Sequence, residues 1–321
     1  MRTLRTTVFL FFALAVMLFV MKDHARQVRA QGGTSTRTGS WTMQRSDEAG
    51  KVEFGLISRQ HHGSSTHEST WAQNSFTGID FSKSGKQDVH FSINRDAGKL
   101  ECEGYLNNAE GAGTFHFFPD PNFPAAMRKL DFSVDEDKQY EMAVQDVTVD
   151  FARQMREEHL SDLDADKLIA FRIFGVDKKF IDDLRSSGIK ASDSDRLVAF
   201  RIHGVTPQMV RSLRDAGYSP DEDTLVAMRI HGATPEWMQE LKKRGYDHVD
   251  LQELIAFRIH GVSPEFIDQL KTLGYSHPQP QQLIAMRIHN VSPEYISDLR
   301  SHGMHDLSID QLVSMRIHGI D

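Results

Sequence analysis

The most constraining feature of this sequence is a nine-residue segment that returns six times at a nearly constant interval. It reads LIAFRIFGV from Leu168, LVAFRIHGV from Leu197, LVAMRIHGA from Leu225, LIAFRIHGV from Leu254, LIAMRIHNV from Leu283 and LVSMRIHGI from Leu312. Its arginines, Arg172, Arg201, Arg229, Arg258, Arg287 and Arg316, follow one another at 29, 28, 29, 29 and 29 residues. A chain with such a period stacks copies of one supersecondary unit, each covering the apolar face of the next.

A second element follows each of the first five segments, as in SPEFIDQLKTLGY from Ser263 and TPEWMQELKKRGY from Thr234. Ser or Thr before Pro and Glu supplies an N-cap, a first-position proline and a first-turn acid. Gly188, Gly217, Gly245, Gly274 and Gly303 stand where a left-handed residue ends a helix. Gly204, Gly232, Gly261 and Gly319 end the preceding segment in the same way. Each unit is therefore two short helices joined by tight turns.

Residues 225–231, placed on a helical wheel, send apolar side chains in nearly every direction, which predicts an inner helix buried between neighbours. Residues 235–244 keep Trp237, Met238 and Leu241 on one arc, which predicts an amphipathic outer helix. Residues 139–147 are a degenerate inner segment with Ala143 and Gln145 in place of the arginine and histidine. Residues 122–132 resemble an outer helix alone. Counted outer helix first, the array has seven pairs and ends that could close a ring or join head to tail.

Upstream, over residues 41–118, the apolar period changes to two. Val52, Phe54 and Leu56 alternate with polar neighbours, as do Val89, Phe91 and Ile93, and then Leu100, Cys102 and Leu106. This predicts a small antiparallel β module with turns at residues 96–98 and 107–113. Gly104, Gly111 and Gly113 read as strand or turn glycines, because no helix follows to make a phosphate loop. The HHGSSTHES stretch holds His61, His62, His67 and Glu68; it reads as a solvated loop, with a loop metal site as the alternative. The single cysteine, Cys102, reads as a core residue.

The expected fold class is α+β: a β module (41–118) followed by an all-α solenoid of about 29-residue helical hairpins (119–321). Residues 1–30 carry basic residues before the apolar run 8–21, the pattern of a signal peptide or an uncleaved signal anchor. Residues 31–40, QGGTSTRTGS, form a flexible tether by composition.

Charge bears on partners. The chain has 37 Lys and Arg against 45 Asp and Glu, a net −8. Without the first 30 residues, which hold five bases and one acid, the balance is −12. This disfavours a nucleic-acid partner. The six arginines read as a structural ladder bonded to carboxylates, such as Glu236, Glu265 and Glu294, or to helix C-terminal carbonyls. The alternative is a groove gripping an acidic peptide or polymer. His203, His231, His260, His289 and His318 fall at inner-helix C-termini and read as dipole-favoured caps, with a metal ladder as the alternative. No nucleophile elbow, HExxH, Walker loop or paired CxxC occurs in the sequence. No catalytic residue, metal ligand or cofactor is expected.

The RIHGVTPEF-type repeats, preceded by NRDAGKLECEGYL and GAGTFHFFPDPNF, resemble the extracytoplasmic tail of bacterial membrane metallopeptidases of the beta-lactam-sensor (BlaR-like) type. The resemblance covers residues 51–321. It implies a stand-alone copy of the accessory region, without the peptidase and its HExxH. The reading that results is a non-enzymatic, exported or membrane-tethered scaffold in the cell envelope, with a protein or peptide partner. Residues 8–21 would contact the membrane if retained, and array ends could self-associate. A regulatory subunit docking on a membrane peptidase or receptor is the alternative; a helical-hairpin nucleic-acid binder is opposed by charge and leader.

Overall fold

A computed structural model describes residues 37–60 and 63–320. The expected leader (1–30), the first six tether residues, His61 and His62 lie outside the described residues.

Six strands form one antiparallel sheet: β1 (Arg37–Arg45), β2 (Lys51–Gln60), β3 (Gly63–Ala72), β4 (Lys86–Arg95), β5 (Gly98–Asn107) and β6 (Glu110–Pro119), in the order β3-β2-β1-β6-β5-β4. Alternation puts Trp41, Phe54, Phe91, Phe115 and Phe117 inside, where Trp41 meets Phe91 edge-on at 5.1 Å. Strand β1 opens at Arg37, so the last four residues of the expected tether are strand instead. All four pair with β6, Gly39 and Ser40 pair with β2 as well, and the Arg37 guanidinium lies 4.2 Å over the Tyr140 ring.

Two further expectations are corrected. From Gly63 on, the HHGSSTHES stretch is strand rather than solvated loop: His67 and Glu68 lie in edge strand β3, whose inward positions are His67, Ser69 and Trp71. Alternation was hidden because two of those three are polar. The turn after β5 is only Asn108-Ala109, both with positive φ (53° and 64°), a two-residue hairpin turn. Gly111 and Gly113 sit within β6. There Gly113 faces Gly104, and a Cβ on Gly113 would come within 2.7 Å of Trp41 Nε1 and 1.9 Å of the Glu103 carbonyl oxygen. These glycines make room for the tryptophan.

Fourteen helices follow among the described residues: α1 (Phe123–Arg128), α2 (Glu136–Val144), α3 (Val149–Glu157), α4 (Ala165–Phe174), α5 (Lys178–Ser186), α6 (Ser194–His203), α7 (Pro207–Asp215), α8 (Glu222–His231), α9 (Pro235–Lys242), α10 (Leu251–His260), α11 (Pro264–Thr272), α12 (Pro280–Ile288), α13 (Pro293–Ser301) and α14 (Ile309–Ile317). Even-numbered helices pack on one another as an inner row from α2 to α14. Odd-numbered helices form the outer row, with α5 on α7, α7 on α9 and α11 on α13. This is an α+β chain: an antiparallel sheet, then a helical repeat array.

The local chemistry follows the repeat. Outer helices start where Thr206, Thr234, Ser263 or Ser292 accepts a hydrogen bond from the backbone N–H three residues on. Inner helices α4, α6 and α8 are capped by Asp164, Asp193 and Asp221. Units are tied by tyrosines: Tyr218, Tyr246 and Tyr275 donate to the carbonyls of Val249, Pro278 and Leu307, at 3.0, 2.8 and 2.7 Å. The amino-terminal end of the array is not free, since α2 packs on β5 and β6. There Tyr140 stacks on Phe115, and Gln139 donates to the Ala97 and Asp120 carbonyls. Closing a ring through that end would displace the sheet. No helix among the described residues is long and apolar enough to cross a membrane.

Candidate interaction surface on the inner helices

From α4 to α12 each inner helix buries the leucine that opens its repeat segment and the Phe or Met three residues later; Leu197, Phe200, Leu225, Met228, Leu254 and Phe257 are fully enclosed. The expectation that these helices are buried all round fails in the last turn. In a two-layer array an inner helix has neighbours on three sides only, and the fourth side faces water. The isoleucine after each arginine lies there: Ile173, Ile202, Ile230, Ile259, Ile288 and Ile317 are 53–57% exposed. Among the described residues the other exposed large apolar side chains are Tyr105 in the sheet, Phe174 next to Ile173, and Ile320, which holds the position of the buried Val205 and Val262 at the last unit. Soluble surfaces scatter single apolar residues; a contiguous row marks a site of interaction.

The arginines are not buried between helices, as their wheel position suggested, but exposed, except for the half-buried Arg316. Each reaches back one unit. Nε of Arg229, Arg258 and Arg287 donates to the carbonyls of His203, His231 and His260 at 3.0, 3.2 and 3.3 Å, and Arg172 and Arg316 do the same to Gln145 and Asn290. The histidine carbonyls are the last of the preceding inner helix and carry its negative dipole end, and those of Gln145 and Asn290 lie one and two residues beyond theirs. The guanidinium planes also lie over the aromatic ring of the preceding outer helix, Arg201 over Phe180 at 3.7 Å, Arg258 over Trp237 at 5.2 Å and Arg287 over Phe266 at 5.0 Å.

Glu236, Glu265 and Glu294 are not hydrogen-bonded to Arg229, Arg258 or Arg287, whose Nε atoms go to carbonyls. Their carboxyls are held below the usual glutamate range instead by their own backbone N–H and the N-cap hydroxyls of Thr234, Ser263 and Ser292. Arg172 also meets a carboxylate, Asp146, at 3.1 Å.

The histidines stand at the ends of the inner helices. His203, His260 and His289 are half-buried, while His231 and His318 are exposed. The His318 ring nitrogen Nδ1 lies 2.7 Å from the Ser314 carbonyl of its own last turn. No three His, Cys, Asp or Glu side chains converge to hold a metal ion among the described residues.

Along each inner helix the residues at i, i+4 and i+7 share one face. In α4, α6 and α8 these are Asp166-Ala170-Ile173, Asp195-Ala199-Ile202 and Asp223-Ala227-Ile230; in α10 and α12 a glutamine replaces the acid. The face therefore has an acidic edge at the helix N-termini, small alanines along its middle, and the isoleucine in the last turn between arginine and histidine. Along the acidic edge Lys138 bonds Asp166 at 2.6 Å, Lys167 bonds Asp195 and Arg196 bonds Asp223, one unit to the next. Hydrogen bonds to those aspartates raise the two lysine pKa values.

Sequence reasoning missed the isoleucines, and it missed a second arginine ladder on the outer row. Arg156, Arg185, Arg214 and Arg300 donate to the carbonyls of Leu130, Glu158, Gly188 and Leu273, at the end of the preceding outer helix. The signal was present, since these arginines recur at the repeat interval, with Lys242 and Lys271 between.

Among the described residues, the β-module candidates His67 and Glu68 do not assemble into a site. His67 points inward and Glu68, its strand neighbour, outward. His67 Nδ1 accepts from Gln145 Nε2 and its Nε2 lies on Ser69 Oγ, both at 3.0 Å. Burial lowers its pKa. Cys102 is fully enclosed, and burial pushes its thiol far up, away from thiolate chemistry.

The chain matches no protein-family model and no curated protein.

Proposed function

We propose that this protein is a non-enzymatic interaction scaffold whose inner-helix rim binds a protein or peptide. The observation that carries the reading is the row of six isoleucines, each more than half exposed and each on an equivalent turn. Isoleucine that recurs at a solvent-facing position serves no core. The arginine and histidine flanking it close helix ends, and the exposed isoleucine between them has no comparable partner to explain its return.

The reading also places the scaffold in the cell envelope, exported or tethered. Arg2 and Arg5 before the apolar run 8–21 support this, as does the resemblance of residues 51–321 to the extracytoplasmic tail of BlaR-like peptidases. A membrane peptidase or receptor of that kind is then a natural docking target. The net charge favours a polypeptide over a nucleic acid.

The test is capture of partners from an envelope extract by the full-length chain and by an Ile202→Asp, Ile259→Asp double variant. Loss of the captured partner in the variant, with helicity unchanged, is the expected result. Retention of every partner by the variant would remove the rim from the function. The mass of the mature amino terminus decides between cleaved and anchored forms.

A further inference from the structure

We infer that the outer row holds a binding site for a small organic anion, a carboxylate or a phosphate, gripped by Lys271 in a cavity between α9 and α11. The site uses none of the isoleucines and stands apart from the scaffold reading.

It is found where the outer ladder breaks. Arg185, Arg214 and Arg300 donate to the carbonyls of Glu158, Gly188 and Leu273, one unit back. Lys271 holds the same repeat position. The carbonyl of Gly245, which matches that of Gly188, lies instead 3.2 Å from His277 Nε2. The two glycines show the exchange. A Cβ on Gly188 would come within 2.6 Å of the Arg214 guanidinium, and one on Gly245 within 2.8 Å of His277 Nε2. An imidazole thus stands where another unit has a guanidinium. Its ring is stacked on Tyr246 with 4.7 Å between centroids and 4° between planes. Lys271 makes no hydrogen bond, and no ion pair within 4 Å, among the described residues.

At this break a cavity of about 380 Å³ opens, at the small end of the range for small-molecule sites. Lys243, Arg244 and Lys271 line it against Glu240 and Asp268, an excess of one positive charge in a chain of net −8. Four of those five charges are paired. Arg244 forks onto Asp268 at 2.7 and 3.0 Å, and Lys243 meets Glu240 at 2.6 Å. Hydrogen bonds from Arg244, with a smaller pull from Lys271, hold the Asp268 carboxyl below the usual aspartate range. The charge left over is the Lys271 ammonium. The Ser276 hydroxyl on the same cavity also has no bonded partner among the described residues. An ammonium and a hydroxyl together suit the oxygens of a carboxylate or phosphate.

The remaining wall is apolar. Ile267 lines it with the rings of Tyr246 and Tyr275, whose hydroxyls are engaged by the carbonyls of Pro278 and Leu307. A ligand that carries its charge at one end and a compact ring at the other fits both parts.

The probe is benzoate, titrated into the full-length, nitrogen-15-labelled chain at low salt and followed by NMR, with acetate and inorganic phosphate as further arms. The expected result is saturable shifts at residues 271 and 275–277, with a Kd on the order of 1 mM. Lys242, the same repeat position one unit earlier and outside the cavity, should stay still. Lys271→Met should weaken binding about tenfold and Lys242→Met less than about twofold, with melting temperatures unchanged. The shift map needs no variant and stands if one misfolds.

Benzoate bound more tightly than acetate and phosphate supports a carboxylate ligand with a ring; phosphate bound most tightly supports a phosphate ligand in the same site. No saturable shift with any of the three up to about 20 mM, well above that Kd, overturns the inference. Equal losses in Lys271→Met and Lys242→Met also overturn it, by reducing the binding to general surface charge.

Discussion

Arg258 donates from Nε to the carbonyl of His231, 3.2 Å away, and so closes the helix of the unit before its own. The same guanidinium covers Trp237 in the outer row, 5.2 Å from the ring centroid. One side chain thus reaches both an inner and an outer helix before its own. A hydrogen bond from a charged donor to a carbonyl contributes about 1.5–3 kcal/mol where well shielded, and toward the low end at an exposed site.

Arg258→Ala is accordingly expected to lower stability by about 1–2 kcal/mol, and Lys242→Ala, on the exposed side of α9, by less than about 0.5. Arg229 keeps the carbonyl bond to His203 but has Met209 where other units have an aromatic ring. Its alanine variant should lose less than that of Arg258, by roughly the cation–π share of about 0.5–1 kcal/mol. Thermal melts of the three variants measure the order; equal melting temperatures would show that the ladder carries no stability.

Gly232 ends α8 at φ +75°, and a Cβ there would stand 2.9 Å from the Arg258 guanidinium. Gly232→Ala combines a left-handed backbone penalty of about 1 kcal/mol with displacement of the arginine, and should cost about 1–2 kcal/mol. Asn290 occupies the equivalent position at φ +56°. Asn290→Gly should leave stability unchanged or raise it by up to about 1 kcal/mol. Urea midpoints of the pair test this, and a loss in both would mean that the side chain, not the backbone, matters there.

The repeat was legible because each of its parts is local. An N-cap hydroxyl, a first-turn proline and a left-handed glycine act within a few residues, so Thr234, Pro235 and Gly245 can be read from the sequence alone. The alternating strands of the β module were legible where the inward residues are Phe or Leu, and not in β3, where His67 and Ser69 point inward. The isoleucine rim was hidden for a different reason. Hydrophobicity reports what a side chain avoids, and only the placement of neighbouring helices tells whether cover exists. Ile259 and Phe257 look alike in sequence; one is 53% exposed and the other is enclosed.

That contrast gives a direct comparison. Phe257→Ala empties the space of a fully enclosed ring and should cost about 3–5 kcal/mol. Ile259→Ser removes a side chain already more than half in water and should change stability by no more than about 1 kcal/mol. Chemical denaturation of both variants measures the difference. Similar losses would mean that the isoleucine row is core that neighbouring units cover in solution.

His67 joins the edge of the sheet to the first unit of the array. With Gln145 donating to Nδ1, the ring proton sits on Nε2 and points at Ser69, which also accepts from Trp71 Nε1 at 2.7 Å. Burial holds the folded pKa below the ordinary histidine value of 6.5. The sign follows: above that value the ring is neutral in both folded and unfolded chains, and the contact is intact. As pH falls through the depressed folded value, the unfolded chain binds the proton more readily, and stability is lost. Protonated Nδ1 has no lone pair for the Gln145 amide. The urea midpoint should therefore drop between about pH 7.5 and pH 5, and drop less in His67→Gln, which cannot titrate in this range. Parallel drops in the two chains would assign the acid sensitivity to other groups.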